Sequence, residues 1–588
     1  MSNVAEGVVA VLEPFKFDRV KPTAATPSRS TRREWVDAVA LVVGYLLLLA
    51  ITRTVDQGDT PVYAADVVAA LHGDLSAMWD FGHVLWRPIG YGFLRVAMIA
   101  APSAAQSQPT LYVAAVYTFT FLSMAAGAAA VIFFRLWLGR LGVPRLPAAV
   151  ATVGFFSAAA VVGYAQTGSS YVPALSMLVL GLYAMADDNR GHRWATIRLA
   201  SVGFAGAALL WAPMVLGIPG AALSTIVLRG PTRRRVVTAL LACVISGTIT
   251  ILAYAVIVRA AGLQTAHDIR QWVGNSSHGI VGVGGVPRAI VGFARSVVNT
   301  GQLGLIVKRH MIHDPYNATT WFDVLRGGLA RLLLFYGLVA VVGVTLALRA
   351  QRLGRRVLLF LACSAAPVIG LALSWQGGDL ERYLALFPAL FAAGAFAMAL
   401  VTMRAMASVV PAGIGAMCVI NTAAITRSKA NVECTQLANR LTAVPKSGTG
   451  PTLVISPHGL DEIVMLNVHC PTSPLVTAVD APEVRGLVMS NSSYSYAWRG
   501  WLAAETARVW DARGRVWISS RAFAPVPAAN WRWAEGDDPK LHWRDFPEYF
   551  KNVDVSSPVG REDGFVELLP TERTRAFIAS ATGGDGRH

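Results

Sequence analysis

Residues 32–53 read RREWVDAVALVVGYLLLLAITR, a run of about 20 mostly apolar residues placed directly behind Arg32 and Arg33. That length matches the hydrocarbon thickness a helix must cross, and paired arginines before it predict that its start stays in the cytoplasm. The stretch before it is polar and rich in Pro and Ser, and lacks the short apolar region and small-residue cleavage site of a removed signal peptide. The expectation is a cytoplasmic tail over 1–34 and an uncleaved first span over 35–53.

The rest of the chain repeats this pattern. With 54% hydrophobic and 15% charged residues in 588, the composition lies outside the soluble globular range. Candidate spans are 35–53, 112–136, 146–164, 170–186, 194–211, 213–229, 236–258, 329–348, 356–374, 382–403 and 406–425. For 194–229, which Pro213 and Pro219 interrupt, a re-entrant hairpin is the alternative. The formal charge of +16 does not indicate nucleic acid, because the arginines fall in short clusters between apolar runs. Arg29/Arg32/Arg33, Arg135/Arg140/Arg145, Arg190/Arg193/Arg198, Arg229/Arg233/Arg234/Arg235, Arg349/Arg352/Arg355/Arg356 and Arg404 all fall on one side, as the positive-inside rule requires.

On the other side lie long connections, 54–111 and 259–328, and then residues 427–588, where strand-like runs alternate with helix-like ones. The predicted fold is therefore an all-α polytopic membrane domain over 35–426 with about eleven transmembrane helices, followed by a small extracytoplasmic α/β domain. Large outer loops beside short inner ones put the functional surface outside. Cys243, Cys363 and Cys418 fall in apolar runs as buried thiols. Cys434 and Cys470 fall in the outer domain, where an oxidising compartment permits a bond between them. Seven tryptophans from Trp498 to Trp543 there suit core packing, an interface belt or sugar stacking.

Directly after the first span, residues 56–66 read DQGDTPVYAAD and residues 80–90 read DFGHVLWRPIG. Carboxylates beside lipid are costly unless hydrated, paired or used. Gly58 permits a turn, Asp59 or Thr60 can cap a helix and Pro61 suits its first turn, so an amphipathic helix is expected towards Leu71. If 84–87 is helical, His83 and Arg87 share a face. Pro88 then leads into a segment, 89–101, read as lying in the interface. Asp56, Asp66, Asp74 and Asp80 read as solvated charges.

These residues resemble the GT-C superfamily of polyprenyl-phosphate-sugar-dependent membrane glycosyltransferases, which includes protein O-mannosyltransferases and bacterial ArnT-like families. Asp59 stands where members carry an acidic residue after the first span, with Tyr63, His83 and Arg87-Pro88-Ile89 in the matching places that follow. Residues 375–388, WQGGDLERYLALFP, resemble the Arg-Tyr element found at a late span of many bacterial relatives. One departure is visible: members often carry a second acidic residue in the second outer loop, which here reads GYAQTGSSY over 163–171.

The resemblance implies a hexosyl- or pentosyltransferase of the bacterial inner membrane. It would move a sugar from a polyprenyl phosphate carrier to a glycan, lipid or protein acceptor of the envelope. Such transfer needs a base for the acceptor hydroxyl and cations for the departing phosphate. Asp59 is the candidate base, against a capping role. Arg382 is the first candidate for the phosphate and Arg87 the second, with Tyr63, His83 and Tyr383 as substrate contacts. His83 also suits a structural hydrogen bond, and Arg382 suits snorkelling or pairing with Asp379 or Glu381. No metal site is assigned and no cofactor is certain; a divalent metal is the one candidate, for which His267, Asp268, His310, His313 and Asp314 could substitute as ligands, although their spacing fits no standard motif. The rival readings are a lipid-linked sugar transporter or flippase, with ionisable residues lining a path through the spans, and a non-catalytic envelope assembly protein.

Overall fold

The computed structural model describes residues 28–52, 60–71, 73, 75, 78–100, 108–187, 192–276, 285–300, 320–348, 352–375, 377–400, 404–426, 452–456, 476–480, 497–519, 551–556 and 565–583. Asp56, Asp59, Asp74, His310, His313, Asp314, Cys434, Cys470 and the tryptophans at 531, 533 and 543 lie outside them.

The helices in chain order are α1 (Ser28–Thr52), α2 (Thr60–Leu71), α3 (Trp86–Ala100), α4 (Gln108–Arg140), α5 (Arg145–Ser157), α6 (Ala159–Thr167), α7 (Tyr171–Met185), α8 (Arg193–Leu210) and α9 (Ile218–Arg229). There follow α10 (Arg233–Ala260), α11 (Ala266–Ser276), α12 (Val286–Val297), α13 (Trp321–Leu348), α14 (Arg352–Ser374), α15 (Phe387–Leu400) and α16 (Arg404–Thr426). Among the described residues eight helices are long and apolar enough to cross a membrane, and α5 with α6 makes a ninth, bent by 54°. The two other expected spans coincide with α7 and α8. Over 146–164 the expected single span is instead two helices, the form of a broken span or a re-entrant loop. Ala158 takes an extended conformation at the bend, so the chain changes direction without Gly or Pro.

Apolar side chains such as Leu47, Phe121, Ile251 and Leu333 remain exposed on the helices, as lipid-facing positions should. With lipid as apolar as leucine, helices associate through close packing of small residues. At the α7–α8 contact a Cβ on Gly203 would lie 2.7 Å from the Gly181 nitrogen, and one on Gly181 would lie 2.3 Å from the Phe204 ring.

Arginines of the short connections gather at one end. Arg135 and Arg145 both bind Asp37, at 2.9 and 2.8 Å. Arg140 lies 3.7 Å over the Tyr183 ring, and Arg229 and Arg235 donate to the carbonyls of Ala186 and Gly230. The starts of α1, α5 and α10 therefore meet the ends of α4, α7 and α9, which is the same-sidedness expected of the arginine clusters.

Beyond α16, the described residues form a four-stranded sheet of β1 (Thr452–Ser456), β2 (Val476–Asp480), β3 (Arg515–Ser519) and β4 (Phe565–Leu568) in the order β2-β1-β3-β4. The first three run parallel and β4 antiparallel to β3. Helices α17 (Ala497–Asp511) and α18 (Glu572–Gly583) pack together, and α17 lies on β1 and β3. Parallel strands covered by helices are apolar throughout, and Leu453, Val516, Trp517 and Ile518 are accordingly buried. This agrees with the predicted α/β domain.

Candidate functional site

At the end of the bundle away from those connection arginines, the segment joining α6 to α7 gathers the loop that follows α1. Gln166 donates to the Thr52 hydroxyl at 2.7 Å, and the Thr60 hydroxyl donates to the Thr167 carbonyl. The Trp86 indole donates to the Gly168 carbonyl at 3.0 Å. Both flanks of residues 53–59, Asp59 among them, are therefore fixed against one segment. Gly168 makes this possible with φ of +75°, which only glycine adopts without strain, and a Cβ there would lie 2.8 Å from the Thr120 nitrogen. Gly168→Ala is expected to destabilise the protein by about 1–3 kcal/mol, seen as a lower thermal unfolding midpoint in detergent.

The expected helix after the first span is present as α2, but Thr60 turns its hydroxyl to Thr167 instead of capping its own helix. His83 and Arg87 do not share a helical face, because His83 ends a short 3-10 turn and α3 begins only at Trp86. Both nonetheless meet Tyr63, whose buried ring touches each. His83 lies edge-on at 5.7 Å, and the Arg87 guanidinium stands 5.2 Å from the ring centre. His83 Nδ1 lies 2.6 Å from the Ser170 hydroxyl and 3.2 Å from the Leu210 carbonyl.

Arg87 is buried between two carboxylates, with Nε 2.7 Å from Asp66 and Nη1 3.3 Å from Asp80. Asp66 and Asp80 are therefore not solvated charges. Lowering a carboxylate into a poorly hydrated site is costly, and one guanidinium between two of them offsets part of that cost. Asp80 further accepts from the Gly82 amide, which sets the turn before His83.

The late element arrives from the other side. Arg382 is 7% exposed and lies 3.8 Å over Trp375, with Asp379 and Glu381 each 3.9 Å from it. Those separations exceed hydrogen-bonding distance, so the pairing is coulombic. Tyr383 points away, its hydroxyl shared between the carbonyls of Gly377 and Ala289 at 2.7 and 2.9 Å. It anchors α12 rather than facing Arg382.

Three aromatic residues, which sequence reasoning did not single out as functional, close the circle. Tyr171 stacks edge-on with His83 at 5.5 Å, with Tyr164 at 4.7 Å and with Trp211 at 5.1 Å. The Tyr164 hydroxyl donates to Glu381, and Trp211 lies 6.0 Å from the Arg382 guanidinium. The loop without a carboxylate thus receives one from a residue 217 positions away.

Among the described residues no three His, Cys, Asp or Glu side chains come together as metal ligands. Asp268 instead caps α11: the amides of Thr265 and Gln264 bond its carboxylate and hold it below the usual carboxylate range. Among the described residues Asp268 thus serves its own helix, while His310, His313 and Asp314 lie outside them.

No protein-family model and no curated protein matches the chain. Solved structures do. The crystal structure of ArnT from Cupriavidus metallidurans bound to undecaprenyl phosphate matches with a TM-score of 0.51 at 11% identity, covering 91% of this chain and 98% of that one. Its apo state matches with a TM-score of 0.52 at 11% identity, covering 93% and 99%. At that identity the likeness is one of fold: this chain shares the multi-pass helical architecture of those structures.

Proposed function

We propose that this chain is an integral membrane glycosyltransferase that takes a sugar from a polyprenyl phosphate carrier and passes it to a glycan, lipid or protein acceptor of the cell envelope. The observation that carries this reading is the convergence of the first outer loop and the Glu381-Arg382 element around one segment, at the end of the bundle remote from the arginine clusters of the short connections. The ArnT structure of the same fold was solved with undecaprenyl phosphate, which supports carrier use here. The arginine-rich end belongs in the cytoplasm by the positive-inside rule, so the site belongs on the outer face of the inner membrane. The tail, 1–34, is then inside, the membrane domain covers 35–426, and 427–588 are outside.

In this reading Asp59 takes the proton of the acceptor hydroxyl as that oxygen attacks the anomeric carbon and the carrier phosphate leaves. Arg382 faces the charge that grows on the departing phosphate, in a site where low hydration strengthens the attraction. Arg87, held by two carboxylates, positions the loop rather than meeting the phosphate. No step calls on a metal.

Cells lacking the protein are expected to accumulate a polyprenyl phosphate sugar beside a truncated envelope glycan or an unmodified acceptor. Mass spectrometry of lipid-linked sugars and glycans from cells with and without it checks this. Unchanged profiles would remove the enzyme reading in favour of an assembly protein.

A further inference from the structure

Glu381 is a buried carboxylate, 8% exposed, that the proton and phosphate steps above leave unused. Stability alone does not account for it, since a buried ion pair is often replaced by apolar residues at no loss. Its surroundings are those of a polyol site. One oxygen accepts from the Tyr164 phenol and the other faces Arg382. The Trp375 and Trp211 rings lie 3.8 and 6.0 Å from the guanidinium, and Tyr171 packs edge-on against Trp211. The Trp375 indole nitrogen is buried with no hydrogen-bond partner among the described residues. Sugars present hydroxyls that both donate and accept, and C–H faces that stack on aromatic rings. A carboxylate, a phenol, an indole N–H and a guanidinium between aromatic walls match both.

We infer that Glu381, held by Tyr164 and walled by Tyr171, Trp211 and Trp375, binds the hydroxyls of the donor sugar and selects a neutral sugar over an acidic one. The inference rests on the transferase reading. Its selectivity follows from charge: a uronic acid would bring a second carboxylate against Glu381, which low hydration makes unfavourable. Asp379, 46% exposed and also beside Arg382, strengthens the same bias.

The test is binding of three probes to the purified full chain in nanodiscs: undecaprenyl phosphate, undecaprenyl phosphate glucose and undecaprenyl phosphate glucuronic acid. The wild type is expected to bind the glucosyl carrier about tenfold more tightly than the bare carrier, the size of effect a hydrogen bond to a charged group gives. The glucuronyl carrier should gain nothing. Glu381→Gln should erase the glucosyl advantage, read as the ratio of glucosyl to bare-carrier affinity within the variant, and Tyr164→Phe should reduce that ratio in part. Equal loss for every carrier, or an unchanged glucosyl advantage in both variants, overturns the assignment. A wild type indifferent to the sugar overturns it while leaving the carrier reading intact, whereas a wild type that binds none of the three removes the carrier reading itself. Should Glu381→Gln fail to fold, Tyr164→Phe decides alone.

Discussion

Asparagine in place of Asp59 is expected to lower the rate of sugar transfer by about 10²- to 10⁴-fold, the contribution of a positioned general base. The substitution separates the two roles that an acid before a helix can play. Asparagine caps a helix as well as aspartate does, so a capping residue changed in this way loses only a few tenths of a kcal/mol. A base loses its proton acceptor altogether. The flanks of the segment stay fixed by the Thr52–Gln166 and Thr60–Thr167 bonds, which the substitution does not touch. Folded yield and thermal unfolding midpoint should therefore match wild type while turnover collapses. Steady-state kinetics should place the loss in kcat, because the acceptor still binds. A variant that keeps more than about a tenth of the wild-type rate would assign Asp59 to capping and leave the base unidentified.

The parts of this protein that were legible in its sequence are those with local causes. Hydrocarbon thickness requires long apolar runs, and lipid excludes unpaired backbone, so the spans read directly from hydropathy. Helix α2 was legible from Gly58 and Pro61, and a helical segment at Pro88 from its fixed backbone angle, although α3 begins two residues earlier at Trp86. The bend at Ala158 was not, because an apolar run carries no mark of where it changes direction. Asn421 completes that bend from α16, donating to the carbonyls of Ser157 and Val297 at 2.7 and 2.8 Å. Asp66 and Asp80 were read as solvated for a related reason. Their partner is fixed by how α2 folds against α3, and a count of nearby charges does not contain that. Glu381 was named only as a partner for Arg382. Its contact with Tyr164 joins segments far apart in the chain, and no spacing rule reaches so far.

Removing the Arg87 side chain, by Arg87→Met, is expected to cost about 3–5 kcal/mol of stability, the loss seen when one partner of a buried pair is deleted. Arg87 stands between Asp66 at 2.7 Å and Asp80 at 3.3 Å, and each of the three side chains is less than one-fifth exposed. Without the guanidinium, two carboxylates remain close together and poorly hydrated, each unfavourable alone and each repelling the other. Contact with the Tyr63 ring adds about 0.5–1 kcal/mol to the loss. Lysine should rescue only part, since a point charge on a flexible stem cannot fork to both acids as a planar guanidinium does. The decisive variant is the triple change Arg87→Met, Asp66→Asn and Asp80→Asn. Once both acids are neutral nothing is left uncompensated, and stability should recover most of the way towards wild type. Thermal unfolding of the purified variants reads this directly. If Arg87 instead serves the carrier phosphate, Arg87→Met should fold as well as wild type and lose only turnover, and the triple variant should be no more stable than the single one.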